Sequence, residues 1–262
     1  MLPQPARETR VFPGYKALYY DQVTSTNDVA KEIARNSQEE NLVIIARTQT
    51  HGRGRHGRQW VSPRGGIWLS ILLRPRTTQK ETARLTLITA SAVIKAIQHT
   101  LGLEAEVKWP NDILLNGKKL CGILTETSTK EDVADYVIIG IGINANIDLN
   151  SFPATFQNSL TTLKHELSRE IDSEKLTTNL LQNFEQRYKR LQQGEWDALR
   201  IEWKSQARFL GKQVEVTSFA EILAGKALDI DESGALIIRQ ENGELKKIVA
   251  GDVKLRTIPT SG

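Results

Sequence analysis

The segment THGRGRHGR, residues 50–58, most restricts what this chain can form. It follows a short apolar run at residues 42–46 that is typical of a buried β-strand. Glycine lets the backbone approach a ligand closely and take left-handed dihedral angles. Arginine offers a planar set of donors that suits phosphate or carboxylate. The segment therefore predicts a strand that ends in an anion-binding loop. A solvated basic loop and a segment that binds nucleic acid are the alternatives at this point.

The composition of the whole chain is ordinary. Its 262 residues are enough for one sizeable core, or for a large domain and a small one. The fractions of hydrophobic and charged residues, 39% and 25%, are typical of a soluble globular protein. A net charge of +4 lacks the basic excess of a dedicated nucleic-acid binder. The single cysteine, Cys121, excludes an intrachain disulfide and favours a reducing compartment. Because no apolar run resembles a membrane span or a signal peptide, we expect a cytoplasmic protein with no membrane association.

Hydrophobic periodicity and turn residues predict the order of the elements. Strands are expected at residues 16–20, 42–46 and 68–73, and helices at residues 83–101, 174–192 and 195–206. Another helix is expected to begin at Ser25 or Thr26, because Ser25 and Asp28 have capping-box spacing. The proline-rich first residues are expected to lack regular structure. Two glycines inside the apolar run at residues 136–146, Gly140 and Gly142, predict a bulge or a close backbone approach.

Turn residues also predict a hairpin and a second domain. Asn116 and Gly117, between the apolar runs at residues 113–115 and 120–124, form a strong hairpin signal. After Phe209, short β-runs recur between turn signals, which predicts a small all-β barrel. We therefore expect an α+β chain that divides into residues 1–208 and residues 209–262.

Several common catalytic motifs are missing from the sequence. There is no GxxxxGK[ST] phosphate loop, no GxGxxG segment that opens a helix after a strand, and no GxSxG nucleophile elbow. Cys121 and the four histidines have no spacing typical of a zinc site. The arginine–glycine segment is consequently the best candidate for binding phosphate.

Five short segments occur together and in a fixed order. They are STN at 25–27, GRGRHGR at 52–58, KWPND at 108–112, KLCGIL at 119–124 and GIGIN at 140–144. From about residue 19 to its C-terminus, the chain resembles the biotin protein ligases. The resemblance implies a class II synthetase-like catalytic domain of the biotin–lipoate ligase type, with a mixed sheet and helices, followed by an SH3-like barrel. It also implies an activity that needs ATP and Mg²⁺. Biotin and ATP form biotinyl-5′-AMP, and biotin then passes to a lysine of a biotin carboxyl carrier protein.

The same resemblance assigns roles to individual residues. The catalytic residues it implies are Lys119, Arg53, Arg55 and Asp112. The biotin-binding residues it implies are Ser25, Thr26, Asn27, Gln49, Gly52, Arg53, Arg55, Lys119 and Gly122. The nucleotide-binding residues it implies are Arg53, Arg55, Arg58, Trp60, Asn111, Lys119, Asn144 and Arg256. No metal ligand is assigned.

Structural explanations compete with several of these roles. Helix capping alone would explain Ser25, turn chemistry would explain Asp112 and Asn111, and an isolated lysine on a hairpin is usually a surface residue. In the family the arginine–glycine loop closes over the ligands, so we expect residues 50–58 to be mobile without them.

Three other functions remain to be compared. A lipoate–protein ligase shares the fold and the adenylate chemistry, although that family lacks the GRGRxGR segment. A nucleic-acid-binding protein would use the same loop, and a non-enzymatic scaffold would use the barrel for recognition. Because only a short segment precedes Ser25, we expect a form without a DNA-binding domain, and either a monomer or a homodimer.

Overall fold

A computed structural model describes residues 5–12, 15–75, 78, 81–131, 133–218 and 221–255, with the backbone alone at residues 7–12. Its strands form one eight-stranded sheet and one five-stranded sheet. Within the described part of the chain, every helix is too short or too polar to cross a membrane.

The first sheet is built from residues 7–143, a little more than half of the described chain. Its strands are β1 Arg7–Phe12, β2 Tyr15–Val23, β3 Leu42–Gln49, β4 Ile67–Leu73, β5 Glu106–Lys108, β6 Asp112–Leu115, β7 Lys118–Lys130 and β8 Val133–Ile143. They lie in the order β1-β2-β3-β4-β8-β7-β6-β5. The pair β2–β3 is parallel and the other neighbours are antiparallel, so the sheet is mixed.

Helices cover both faces of this sheet. They are α1 Thr26–Asn36, α2 Thr82–Leu101, α3 Ala154–Gln157, α4 Leu163–Leu167, α5 Ser173–Gln192 and α6 Trp196–Ser205. Alternate residues of the central strands point to opposite faces: Ile44 and Leu72 pack with α1, whereas Val43 and Ile71 pack on the side of α2 and α5. Strand β4 is consequently buried along its whole length, which explains why all its residues except one serine are apolar.

The second sheet lies near the C-terminus and is antiparallel. Its strands are β9 Gln213–Thr217, β10 Ile222–Ile230, β11 Leu236–Arg239, β12 Leu245–Ile248 and β13 Asp252–Leu255, in the order β12-β11-β10-β9-β13. It is attached to the first sheet by a hydrogen bond of 3.0 Å from Nε1 of the fully buried Trp109 to the Gly234 carbonyl. An ion pair of 2.9 Å between Lys204 and Asp229 joins it to α6. Trp109, in the turn between β5 and β6, is therefore a core residue.

Three local predictions can be compared with the structure. The expected hairpin forms at Asn116 and Gly117, which have φ of 52° and 75°. The prediction that the first residues lack regular structure is wrong for Arg7–Phe12, which pairs with β2 as an edge strand. Prolines flank that segment but do not interrupt it, so its backbone can pair. Gly140 and Gly142 do not interrupt the β8 register, so close approach is the correct explanation for them.

Candidate active site

A cavity of about 970 Å³ lies between the first sheet, the arginine–glycine loop and the second sheet. Thirteen of the residues that the sequence singles out lie on its wall: Ser25, Thr26, Asn27, Gln49, Arg53, Arg55, Arg58, Trp60, Asn111, Asp112, Lys119, Gly122 and Asn144. They come from α1, β3, the loop, the β5–β6 turn, β6, β7 and the end of β8. Residues that are distant in the sequence therefore converge on one concave site, which is the usual shape of a small-molecule site.

A network of hydrogen bonds holds the polar groups at the start of α1. The backbone N–H and the hydroxyl of Thr26 donate to Gln49 Oε1 at 2.8 and 3.2 Å. The Gln49 amide in turn donates to Ser62 Oγ at 2.8 Å. Ser25 is the residue before the first turn, but its hydroxyl makes no capping hydrogen bond, so the capping-box prediction is wrong. The buried Ser25 hydroxyl instead belongs to the cavity wall.

Asn27 lies deeper in the same network. Its Nδ2 donates to Glu126 Oε2 at 2.7 Å, and its Oδ1 accepts from the buried Ser70 hydroxyl at 2.6 Å. A Cβ at position 140 would lie 2.4 Å from Asn27 Oδ1, so only glycine fits at that point of β8. The donor and acceptor ends of the Asn27 amide are thus fixed in orientation before any ligand binds.

The first arginine of the loop is paired with α1. Arg53 donates from both terminal nitrogens to the two oxygens of Asp28, at 2.8 and 2.6 Å. These hydrogen bonds lower the pKa of Asp28 below its ordinary value, although burial opposes the shift, and they raise the pKa of Arg53. Asp28 therefore serves as a counterion for the loop and not as the second half of a capping box.

The other two arginines of the loop reach the second sheet. Arg55 donates to Asn111 Oδ1 at 2.7 Å, to Asp252 Oδ1 at 3.3 Å and to the Gly251 carbonyl at 3.0 Å. Arg58 pairs with the other oxygen of Asp252 at 2.8 Å, although its side chain is 68% exposed. The loop is thus anchored by ion pairs at both ends. The expected mobility of residues 50–58 without ligand stays a prediction.

Lys119 projects into the cavity from the hairpin. Its Nζ lies 2.8 Å from Asp112 Oδ1 and 5.0 Å from the centre of the Trp60 ring. Its backbone is held on the other side, because its N–H donates to the Ser159 carbonyl and its carbonyl accepts from the Thr161 N–H. The ammonium is therefore positioned by the strand, a carboxylate and an aromatic face together.

A β-bulge decides which side chains of β7 enter the cavity. The pairing of β6 with β7 shifts between Ile113 and Leu114, which leaves Leu120 as the extra residue. In a regular strand, residues three positions apart point to opposite faces. The bulge allows Lys119 and Gly122 both to line the cavity while Leu120 and Cys121 are buried in the core.

Trp60 lies against two glycines of the sheet. A Cβ at position 122 would lie 3.0 Å from its ring, and a Cβ at position 142 would lie 2.5 Å from its Nε1. The Trp60 indole Nε1–H is buried and has no hydrogen-bond partner among the described residues. Gly122 and Gly142 thus provide the flat surface on which an aromatic ring can lie.

Of the other residues that the sequence singles out, one lies on the cavity wall, one lies away from it and one lies outside the described residues. The buried Asn144 donates from Nδ2 to the Thr161 carbonyl at 3.1 Å, and its Oδ1 finds no partner in the part of the chain that the structure describes. Gly52 belongs to the loop but does not line the cavity: a Cβ there would be 2.4 Å from the Trp60 carbonyl. Arg256 lies outside the described residues.

The sequence interpretation missed five polar residues around the cavity: Asp28 as a counterion, Ser62, Ser70, Glu126 and Asp252. Ser70 carries a detectable signal, because a lone hydroxyl within an apolar strand must find a hydrogen-bond partner when the strand is buried. Asp252 carries none, since nearly two hundred positions separate it from Arg55 along the chain.

Comparison with known proteins supports the resemblance. Residues 19–144 match the biotin/lipoate A/B protein ligase family, and residues 209–256 match the biotin protein ligase C terminal domain. The bifunctional ligase/repressor BirA of Bacillus subtilis is 38% identical over 92% of this chain and 74% of the relative. The biotin–[acetyl-CoA-carboxylase] ligase of Paracoccus denitrificans is 31% identical over 76% of this chain and 85% of the relative. The structure of the biotin protein ligase from Aquifex aeolicus in complex with biotin and ATP has a TM-score of 0.79 and 27% identity, and the match covers 92% of this chain and 98% of that one.

These matches confirm the expected fold, a mixed sheet with helices followed by an SH3-like antiparallel domain. They do not favour the lipoate–protein ligase alternative, because the relatives and the C-terminal domain are those of biotin protein ligases. The chain therefore belongs to the biotin protein ligases of the biotin/lipoate A/B protein ligase family, and its activity is that of a biotin protein ligase.

Proposed function

We propose that the cavity joins biotin to ATP and then delivers biotin to a lysine of a biotin carboxyl carrier domain. In the first step a biotin carboxylate oxygen attacks the α-phosphorus of ATP, so that biotinyl-5′-AMP forms and pyrophosphate leaves. In the second step the lysine amine attacks the acyl carbon and AMP leaves. The observation that carries this proposal is the convergence of Arg53, Arg55 and Lys119 from separate elements on one cavity.

The cations of the cavity can reduce the electrostatic repulsion that opposes the first step. A carboxylate and a triphosphate repel each other, so their approach needs positive charge at the meeting point. Lys119 would neutralise both groups with a compact ammonium, and Arg53 and Arg55 would cover them from the loop. Each of these side chains already has a defined position, held by Asp112, Asp28 and Asp252 respectively.

The network at the start of α1 suits the biotin end of the cavity. A ureido ring carries both N–H donors and a carbonyl acceptor, and its recognition needs complementary groups of fixed orientation. We assign this task to Ser25, Thr26, Asn27 and Gln49. Gly52 lets the loop pack closely against the Trp60 carbonyl, and Gly122 leaves room for the close approach of a ligand.

The opposite end of the cavity suits the nucleotide. Because the Asn144 amide is oriented by the Thr161 carbonyl, its unpartnered Oδ1 can accept a hydrogen bond from an exocyclic amine such as that of adenine. Trp60, Asn111 and Arg58 line the cavity. We assign to Trp60 an aromatic face for the nucleotide, and to Asn111 and Arg58 contacts with its phosphates. A role for Arg256 stays a proposal from the resemblance alone.

Among the described residues, no group of three or more His, Cys, Asp and Glu side chains is arranged to hold a metal ion. The donor set therefore does not form a magnesium cage of its own, and we propose that Mg²⁺ enters bound to the ATP phosphates, whose charge it neutralises.

The second step places different demands on the site. The mixed anhydride must be kept from water until the carrier lysine arrives, and closure of residues 50–58 over the cavity would achieve this. Asp112 lies close enough to Lys119 to orient an incoming amine in the same region.

We further propose that the chain divides into two domains after residue 208. Size-exclusion chromatography will decide whether the protein is a monomer or a homodimer.

A substrate comparison tests the proposal. Purified protein should catalyse exchange of labelled pyrophosphate into ATP when biotin is present and not when lipoate replaces it. It should then label a biotin carboxyl carrier domain, and a carrier whose target lysine is replaced by arginine should stay unlabelled. Exchange that depends on lipoate, or no exchange with either acid, would contradict the proposed function.

A further inference from the structure

The arginine–glycine loop, residues 50–58, is joined to the second sheet through one acidic side chain. Asp252, the first residue of β13, lies 3.3 Å from Arg55 through Oδ1 and 2.8 Å from Arg58 through Oδ2. The neighbouring Gly251 carbonyl accepts a third hydrogen bond from Arg55 at 3.0 Å. Asp252 also lies on the wall of the cavity. Two loop arginines therefore have a common counterion outside the catalytic sheet.

The position of this carboxylate is set by the second sheet. Asp252 is paired with Thr217 of β9, and a Cβ at position 251 would lie 2.9 Å from the Thr217 carbonyl, so glycine permits the close packing that precedes it. The second sheet is in turn attached to the first through Trp109 and Gly234. A side chain on such a framework can hold a loop in place more accurately than another loop residue could.

The charges of Arg55, Arg58 and Asp252 favour a stable interaction between the loop and the second sheet. The Arg55 side chain is only 19% exposed, and a guanidinium with so little water needs hydrogen-bonding partners of opposite charge. Burial by itself raises the pKa of Asp252, but the hydrogen bond from Arg58 and the positive charge of Arg55 outweigh burial and lower it below its ordinary value. Asp252 is therefore ionised near neutral pH.

We infer that Asp252 is a positioning residue of the adenylation step, holding Arg55 and Arg58 over the cavity so that they meet the nucleotide phosphates in the correct place. This inference rests on the proposed function. Preorganised cations act on developing charge without the cost of reorganisation, and a loop that has lost its anchor must be ordered when ATP binds. The second sheet thus contributes to the chemistry through a residue that does not itself contact the reacting atoms.

The test compares two acidic residues of the second sheet in the otherwise intact chain. Asp252→Asn removes the charge that anchors the loop. Asp229→Asn removes the charge of the Lys204 ion pair, which also joins the second sheet to the catalytic part but does not reach the loop. Asp252→Glu restores the charge on a longer side chain. Biotin-dependent pyrophosphate exchange gives KM for ATP and kcat, and calorimetry gives the affinity for biotin alone.

We expect Asp252→Asn to raise KM for ATP about tenfold, with biotin affinity unchanged within about twofold. Asp252→Glu should recover part of this loss, and Asp229→Asn should match the original chain in both constants. Equal KM values for Asp252→Asn and Asp229→Asn would overturn the inference, and so would a lower KM in Asp252→Asn, which would make Asp252 a competitor of the phosphates. If the unaltered chain shows no biotin-dependent exchange, the proposed function itself fails, which distinguishes the two results.

Discussion

Replacement of Lys119 by alanine is the sharpest perturbation of the proposed chemistry. The ammonium lies 2.8 Å from Asp112, whose side chain is only 15% exposed. Its removal deletes one positive charge from the cavity and also leaves the Asp112 carboxylate without its counterion. Both changes oppose the approach of two anions, so we expect a loss in the adenylation step and not in folding.

The size of the effect follows from the cost of removing one preorganised charge-stabilising group. Such groups are worth about 10²–10³ in rate, or about 2.7–4 kcal/mol. Lys119 belongs at the upper end of this range, because its loss also exposes the substrates to an unpaired carboxylate. We therefore expect kcat/KM for pyrophosphate exchange to fall about a thousandfold in Lys119→Ala.

The neighbouring lysine provides a matched control. Lys118 has the same charge and lies one position earlier in β7, but it is not part of the cavity wall. Lys118→Ala should retain exchange activity within about threefold, as expected for a surface substitution. Both variants should have thermal unfolding midpoints close to that of the original chain. If Lys119→Ala keeps exchange activity close to that of Lys118→Ala, the argument from charge neutralisation is wrong.

Three other substitutions test separate parts of the structure. Arg55→Ala should release biotinyl-5′-AMP about tenfold faster or more, since the loop loses its most buried cation; unchanged stopped-flow traces would contradict this. Gly142→Ala should raise KM for ATP about tenfold, because the new Cβ would lie 2.5 Å from Trp60 Nε1, and an unchanged KM would remove the aromatic face from the nucleotide site. Burial by itself raises the pKa of Asp231, but hydrogen bonds from Lys247, Ser233 and the Ala235 N–H outweigh burial and lower the pKa to about 2. The contribution of Asp231 to stability is therefore complete above the ordinary pKa of 3.8 and is lost as the pH falls towards 2. Asp231→Asn should thus lower the free energy of unfolding at pH 7 by about 1 kcal/mol, after allowance for solvent screening. In denaturant titrations, this difference from the original chain should shrink between about pH 4 and pH 2.

Local rules account for much of the fold. Gly102 ends α2 in a left-handed conformation, and Asn116 and Gly117 make the turn of the hairpin, because these positions need dihedral angles that few other residues adopt. Short β-runs between turn signals, at residues 213–217, 227–231, 235–239 and 245–249, also predict four of the five strands of the second sheet. In each case the signal and the structure lie within a few residues of each other.

The edge strand β1 and the bulge at Leu120 were missed for a common reason. An edge strand such as Arg7–Phe12 is defined by its backbone pairing with β2, and its sequence RETRVF has no regular alternation of apolar and polar residues. A bulge inserts a residue without any required change in composition, so nothing near Leu120 reveals it. Yet this bulge decides that Lys119 and Gly122 line the same cavity.

The sequence by itself determined the chemistry that is available, through the arginines and glycines of the loop, the lysine of the hairpin and the polar residues before α1. Only the tertiary structure decided how these charges are balanced, since Asp28, Asp112 and Asp252 come from three separate elements. The physical reason is that electrostatic interactions depend on distance in space. Asp252 is far from Arg55 along the chain, and the packing of two sheets brings their charges within 3.3 Å.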